Sequence, residues 1–180
     1  KGGSWRDVSV TGRFLPETGT FAAFVRDITE RVRRERAMNY RANHDPLTNL
    51  PNRRCFLERL ETALAKAGET GSELAVAMVD LNRFKRVNDA LGHAEGDRVL
   101  EEIARILPRS VRESDTVARW GGDEFVILFE NVRDAADAAA LASRVSEAVR
   151  VSRDICGRET LVTASIGVAL FPRHGLTADS

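Results

Sequence analysis

Thr116-Val-Ala-Arg-Trp-Gly-Gly-Asp-Glu-Phe-Val-Ile-Leu-Phe129 consists of two apolar-rich runs around paired glycines. Thr116 to Trp120 and Phe125 to Phe129 read as strands, and Gly121-Gly122 offers the positive φ angles that a two-residue hairpin turn needs. The second strand then begins with two acids, Asp123 and Glu124. Upstream, Leu74 to Leu81 is a compact apolar run carrying Asp80 near its end, as a buried strand would. Between that strand and the hairpin, Val99, Leu100, Ile103, Ile106 and Leu107 share one helical face, with Asp97 as N-cap and Pro108 soon after the helix. Downstream, Asp134 to Arg150 is an alanine-rich helix with Leu141, Val145 and Val149 on one side, and Val162, Ala164, Ile166, Val168 and Leu170 alternate as in a strand. The order from Leu74 is β-α-β-β-α-β. It predicts an α+β fold with a central antiparallel sheet, both helices on one face, and the third strand between the first and second. A further helix, Asn52 to Lys66, carries Phe56, Leu57, Leu60, Ala63 and Leu64 at helical spacing.

That topology places the end of the first strand, at Asp80, on the same sheet edge as the hairpin turn, so Asp80, Asp123 and Glu124 are expected to converge. Clustered carboxylates repel, and a bound cation relieves the repulsion. Oxygen ligands without histidine or cysteine alongside suit Mg2+ or Mn2+ rather than zinc, and magnesium takes few protein ligands plus phosphate oxygens. Phosphoryl or nucleotidyl transfer is the chemistry that follows. Leu81-Asn-Arg-Phe-Lys-Arg86 turns away from the sheet, so its backbone N–H groups can face an anion while Lys85 neutralises charge. Asn88 and Asp97 offer donors and acceptors that would select guanine, because the wrong base would leave buried polar groups unpaired.

Outside this region the chain changes character. Trp5, Val8, Val10, Phe14, Phe21, Phe24 and Val25 fall in short runs broken by Gly12, Pro16 and Gly19, which reads as two or three antiparallel strands, too few to close a barrel. A highly charged helix follows to Asn43, with Asp27 or Thr29 as N-cap. Its apolar stripe of Ile28, Val32 and Met38 leaves both a weak coiled coil and a solvated linker open. The 180 residues are 43% hydrophobic and 30% charged, the balance of a folded soluble chain. Lysine plus arginine and aspartate plus glutamate number 27 each, so no basic field exists to hold a nucleic-acid polymer. Cys55 and Cys156 lack metal spacing, and no segment resembles a signal peptide or a membrane span, so a cytoplasmic setting fits best, with membrane attachment of the parent protein left open. Both ends, Lys1 in an apparent strand and Ser180 after a loop, read as cut from a longer protein.

Arg119-Trp-Gly-Gly-Asp-Glu-Phe125 resembles the signature of the GGDEF diguanylate cyclases. The resemblance runs from about His44 to Ser180. It also rests on His44-Asp-Pro-Leu-Thr-Asn-Leu-Pro-Asn-Arg53, Asp80-Leu-Asn-Arg-Phe-Lys-Arg-Val-Asn-Asp89, Leu91-Gly-His-Ala-Glu-Gly-Asp97 and Ala164-Ser-Ile-Gly-Val-Ala169, in the family's order. It implies a palm-like nucleotidyl cyclase that condenses two GTP into cyclic di-GMP and two pyrophosphates with Mg2+ (or Mn2+) across a homodimer. It further implies that Asp80, the Leu81 carbonyl, Asp123 and Glu124 hold metal, with Asp123, Glu124 and Lys85 catalytic. Asn88, His93, Asp97 and Lys85 match the substrate pocket. Arg112-Glu-Ser-Asp115, with Arg144, looks like the family's RxxD inhibitory product site; on spacing alone the same residues would be ion-paired surface. Asn82 stands where the family usually has a second aspartate, and the chain stops before the family's closing helix and its basic residues. Trp5-Arg-Asp-Val-Ser-Val10 and Val25-Arg-Asp-Ile-Thr-Glu-Arg31 resemble the end of a PAS sensory domain. The implied organisation is a PAS-like end at 1–28, a signalling helix at 29–43 and a GGDEF domain at 44–180 lacking its C-terminal end. Ala164 to Pro172 resembles members followed by an EAL phosphodiesterase domain. A non-catalytic domain that binds GTP or cyclic di-GMP and controls such a neighbour is the alternative reading.

Overall fold

The computed structural model describes residues 5–17, 19–155 and 158–175, and for 151–161 only the backbone course. The readings that fall on Lys1, Ser4, Cys156 and Ser180 lie outside the described residues. The chain divides into two compact units, residues 1–42 and 43–180.

In the first unit, β1 (Val8–Leu15) and β2 (Thr20–Asp27) pair antiparallel from Val8 opposite Asp27 to Leu15 opposite Thr20. Two strands form here, the smaller of the two expected numbers, and helix α1 (Thr29–Asn43) follows them. Asp27, not Thr29, serves as the cap: its Oδ1 accepts the Thr29 N–H at 2.9 Å.

The second unit begins with α2 (Arg53–Thr70), four residues longer than its apolar stripe suggests, because Gly71 at φ 69° closes it. The Asn52 side chain caps its start by accepting the Cys55 N–H. Next come β3 (Glu73–Leu81), α3 (Phe84–Leu91), α4 (His93–Ile106), a 3-10 turn at Leu107–Ser110, and the hairpin β4 (Thr116–Gly121) and β5 (Glu124–Val132). The chain continues with α5 (Ala135–Val149), β6 (Val151–Ile155), β7 (Arg158–Val162) and β8 (Ala164–Phe171). The central sheet has the order β4-β5-β3-β8 with every neighbour antiparallel. The hairpin's second strand therefore lies between the first strand and the hairpin's first, as the topology argument requires.

Four local expectations are corrected. The turn between β4 and β5 is Gly122-Asp123: Gly121 is already paired with Glu124, and Gly122 carries the positive φ of 53°. Asp97 does not cap α4; the helix starts at His93 behind Gly92, leaving Asp97 one turn inside. The segment after β3 is the short helix α3, entered through Arg83 at φ 60°, and its Phe84, Val87 and Leu91 are the apolar stripe that marks it. Val162 ends β7 rather than opening β8.

The sheet is covered on both faces. Ala75, Ala77, Val79 and Leu81 of β3 and Phe125, Ile127 and Phe129 of β5 are buried with α3, α4 and α5. The intervening Leu74, Val126 and Leu128 pack instead against Phe56, Leu60, Ala63 and Ala67 of α2. This explains why β3 and β5 are nearly continuous apolar runs. Burying each of Phe56, Phe125 and Phe129 at 0–1% exposure contributes about 2 to 3 kcal/mol.

Candidate functional site

The ladder decides which acids meet. Asp80 is the Cα partner of Glu124, and on the adjoining rung the Leu81 N–H donates to the Asp123 carbonyl at 3.3 Å. By strand alternation Asp80 and Glu124 share the α2 face of the sheet. Asp123 stands in the turn beside them. Asp80 is exposed, while Asp123 and Glu124 are half-buried. Among the described residues none of the three carboxylates is ion-paired to a lysine or arginine, and no three histidine, cysteine or acidic side chains are gathered closely enough to hold a metal ion by themselves. Two carboxylates on one rung, a third at the turn, and no internal cation fit a hard divalent ion that takes its remaining ligands from water and phosphate.

The turn itself is anchored from afar. Arg119 donates through Nε and Nη2 to the Gly122 carbonyl at 3.2 and 2.8 Å, and through Nη1 to Asp45 Oδ1 at 2.9 Å. The Arg119 N–H also bonds the Pro51 carbonyl, so the loop 44–52 is strapped along β4. Burial raises the Asp45 pKa, but the Thr48 hydroxyl, the Arg119 guanidinium and the Thr48 N–H outweigh it and hold the carboxyl below its ordinary value. Sequence reasoning missed this pair. The quoted motif beginning at His44 was the available signal, yet nothing local tells that its aspartate pairs with Arg119.

On the opposite face, α3 and α4 carry the nucleoside candidates. Asn88 lies against Gly96, where an added Cβ would collide with Asn88 Oδ1 and stand 3.2 Å from the Phe84 ring. Glycine therefore lets the two helices approach and sets Asn88 beside the residue preceding Asp97. Gly96→Ala is expected to weaken GTP binding about tenfold or more, read by calorimetric titration, since Asn88 must move. His93 is exposed at the first turn of α4 and makes no capping bond, so it is neither a cap nor a core histidine. Lys85 is exposed in the first turn of α3. Asn82 is clipped to the start of β8: its Nδ2 donates to Thr163 Oγ1 at 3.1 Å and its Oδ1 accepts from Ser165 Oγ at 2.8 Å.

Arg112, Asp115 and Arg144 gather about one turn. Both Asp115 oxygens accept backbone N–H bonds, from Arg112 at 2.8 Å and Glu130 at 3.3 Å. The Arg112 guanidinium stands 4.0 Å from Asp137, and Arg144 Nε bonds the Ser110 carbonyl at 2.7 Å. Among the described residues, no helix is long and apolar enough to cross a membrane.

The stretch that carries these residues matches known proteins. A profile of the family described as "Diguanylate cyclase, GGDEF domain" matches residues 42–180. The chain is 44% identical over 149 residues to the bifunctional diguanylate cyclase/cyclic di-GMP phosphodiesterase MucR of Pseudomonas aeruginosa, covering 83% of this chain and 22% of MucR. It is 43% identical over 142 residues to diguanylate cyclase TpbB of the same organism, covering 78% of this chain and 33% of TpbB. The chain thus spans a third or less of these relatives. The solved GGDEF domain of TpbB superposes with a TM-score of 0.71 at 44% identity, over 74% of this chain and 78% of that one. The coiled coil and GGDEF domain of DgcB from Caulobacter crescentus, solved with cyclic di-GMP, gives a TM-score of 0.70 at 31% identity, over 78% and 76% of the two chains. With its antiparallel β4-β5-β3-β8 sheet, its acidic rung and a family match that covers the whole second unit, this chain belongs to the diguanylate cyclase GGDEF-domain family.

Proposed function

We propose that the chain is a diguanylate cyclase domain, condensing two GTP into cyclic di-GMP and two pyrophosphates between two copies facing each other. The observation that carries this reading is the Asp80–Glu124 rung beside the Gly122-Asp123 turn, acidic and without an internal cation. Asp80, the Leu81 carbonyl, Asp123 and Glu124 would hold Mg2+ (or Mn2+), which supplies charge neutralisation at the α-phosphate and leaving group. Glu124, half-buried at the strand start, would hold a second ion or take the proton of an incoming ribose 3′-hydroxyl. Asn88 and Asp97 would hold the guanine, His93 would sit at its rim, and Lys85 would lie over the phosphates. One domain holds one GTP and has no nucleophile of its own, so a dimer aligns the two reactants. Incubating the full-length protein with GTP and Mg2+ should release cyclic di-GMP and pyrophosphate together; no product under conditions that support TpbB would overturn the reading.

Residues 1–28 fit the end of a PAS-like sensor, 29–43 a signalling helix and 44–180 the catalytic domain, in a cytoplasmic setting. The turn at Arg112 to Asp115 with Arg144 would bind the product. Its Asp115 carboxylate already orders the turn, so Arg112→Ala is the cleaner probe. That change is expected to relieve inhibition by added cyclic di-GMP while leaving the initial rate within about twofold. Similarity to proteins named only as cyclic di-GMP phosphodiesterases, NbdA of Pseudomonas aeruginosa at 39% identity and PdeR of Escherichia coli at 36%, supports a second reading, in which the domain binds GTP or cyclic di-GMP without turnover and governs an adjoining EAL phosphodiesterase. GTP binding with no pyrophosphate release would select it.

A further inference from the structure

A cleft of about 600 Å3 lies on the α2 face of the sheet, between the first turns of α2 and the end of β4. Its lining includes Leu57, Trp120 and Gly121, the partner of Glu124. Trp120 is held edge-on by the buried Phe56 ring, with centroids 6.1 Å apart at 84°. Arg53 lies across it, its guanidinium carbon 4.4 Å from the ring centroid. Among the described residues Arg53 has no hydrogen-bond or ion-pair partner, so its planar face beyond Trp120 is open. Across the cleft Arg54 neutralises Glu58 at 3.0 Å, while Glu61 has no partner among the described residues.

We propose that this cleft binds a guanine base, making it a guanine-nucleotide site beyond the one assigned to Asn88 and Asp97. A tryptophan carrying a flat guanidinium is a stacking platform for any base. The unpartnered Glu61 carboxylate supplies the selection: guanine presents two adjacent donors, N1–H and the exocyclic amine, to a bidentate acceptor. Adenine and cytosine present only one donor group on that edge. Asn88 and Asp97 sit on helices packed against the opposite face of the sheet, so one base cannot use both sets. Gly121, in the lining, connects the cleft to the hairpin that carries the acids. The site stands independently of the cyclase reading.

The test follows Trp120 fluorescence in the full 180-residue chain carrying Trp5→Phe, which leaves one tryptophan. GMP is expected to quench it saturably, with CMP about tenfold weaker, and Arg53→Ala or Glu61→Gln to weaken GMP about fivefold or more. Arg53→Lys, which keeps charge but loses the plane, should weaken it nearly as much. GTP and cyclic di-GMP carry the same base and should also quench, the tighter one identifying the natural source. Asp97→Ala and Arg112→Ala should leave the GMP response unchanged. No saturable quench, equal response to CMP, indifference to Arg53 and Glu61, or loss of the response in Asp97→Ala would each overturn the proposal.

Discussion

Replacing Asp80 with asparagine is expected to lower pyrophosphate release from GTP about a thousandfold, with the folded state no less stable than before. The two effects separate because Asp80 is exposed and bonded to no other side chain among the described residues, so its carboxylate contributes nothing to packing. Its Cα partner across the ladder is Glu124, and like charges directly opposite each other in a sheet are mildly destabilising. Asparagine is nearly the same size and removes that repulsion, so urea unfolding without metal should show a gain of a few tenths of a kcal/mol. A divalent cation that binds only the folded state should stabilise the native chain and stabilise the variant far less. Initial rates at saturating GTP and Mg2+, together with urea curves with and without Mg2+, provide the check. Full activity in the variant would remove Asp80 from the site.

Asp45→Ala is expected to cost about 3 kcal/mol of stability and about a hundredfold in turnover, although Asp45 touches no reacting group. Arg119 is 12% exposed and Asp45 19%, so removing the acid leaves a largely buried guanidinium without its counter-charge. The same arginine holds the Gly122 carbonyl, and a loosened arginine lets the turn bearing Asp123 drift. The pH dependence has a definite sign. The folded Asp45 carboxyl sits below its ordinary value of 3.8, so its stabilising effect is complete above that value and is lost as pH falls through the folded value. Urea midpoints of the native chain and the variant should therefore differ most near neutrality and converge in acid. A gap that stays constant with pH would mean the Asp45 charge is not what anchors the hairpin.

The fold was legible where burial follows chain periodicity. Phe125, Ile127 and Phe129 alternate with Val126 and Leu128 in sequence and are divided between two cores in space. The α5 stripe of Leu141, Val145 and Val149 is buried as its spacing indicates. Reading failed where one residue decides a boundary. Gly121 and Gly122 are equivalent in composition, and only the register against Glu124 shows which of them turns. Asp97 is a good cap in isolation, yet the close approach of Gly96 to Asn88 lets α4 start a turn earlier. The short α3 carries only two turns of pattern, too little to outweigh the turn signals around it.

The sequence by itself determined the strand and helix stripes, the balance of charge, and the two adjacent acids, Asp123 and Glu124, that follow the paired glycines. These are set by neighbours a few positions apart, through pleat and helical pitch. Only the tertiary structure decided that Asp45 and Arg119, 74 positions apart, anchor the turn, and that Asn82 is clipped to Thr163, 81 positions away. It also decided that α2 covers the second face of the sheet and leaves Arg53 stacked on Trp120. Such pairings depend on strand order and register. A slip of one residue in register would turn every side chain of the strand to the other face, and no local pattern encodes which distant group is then met.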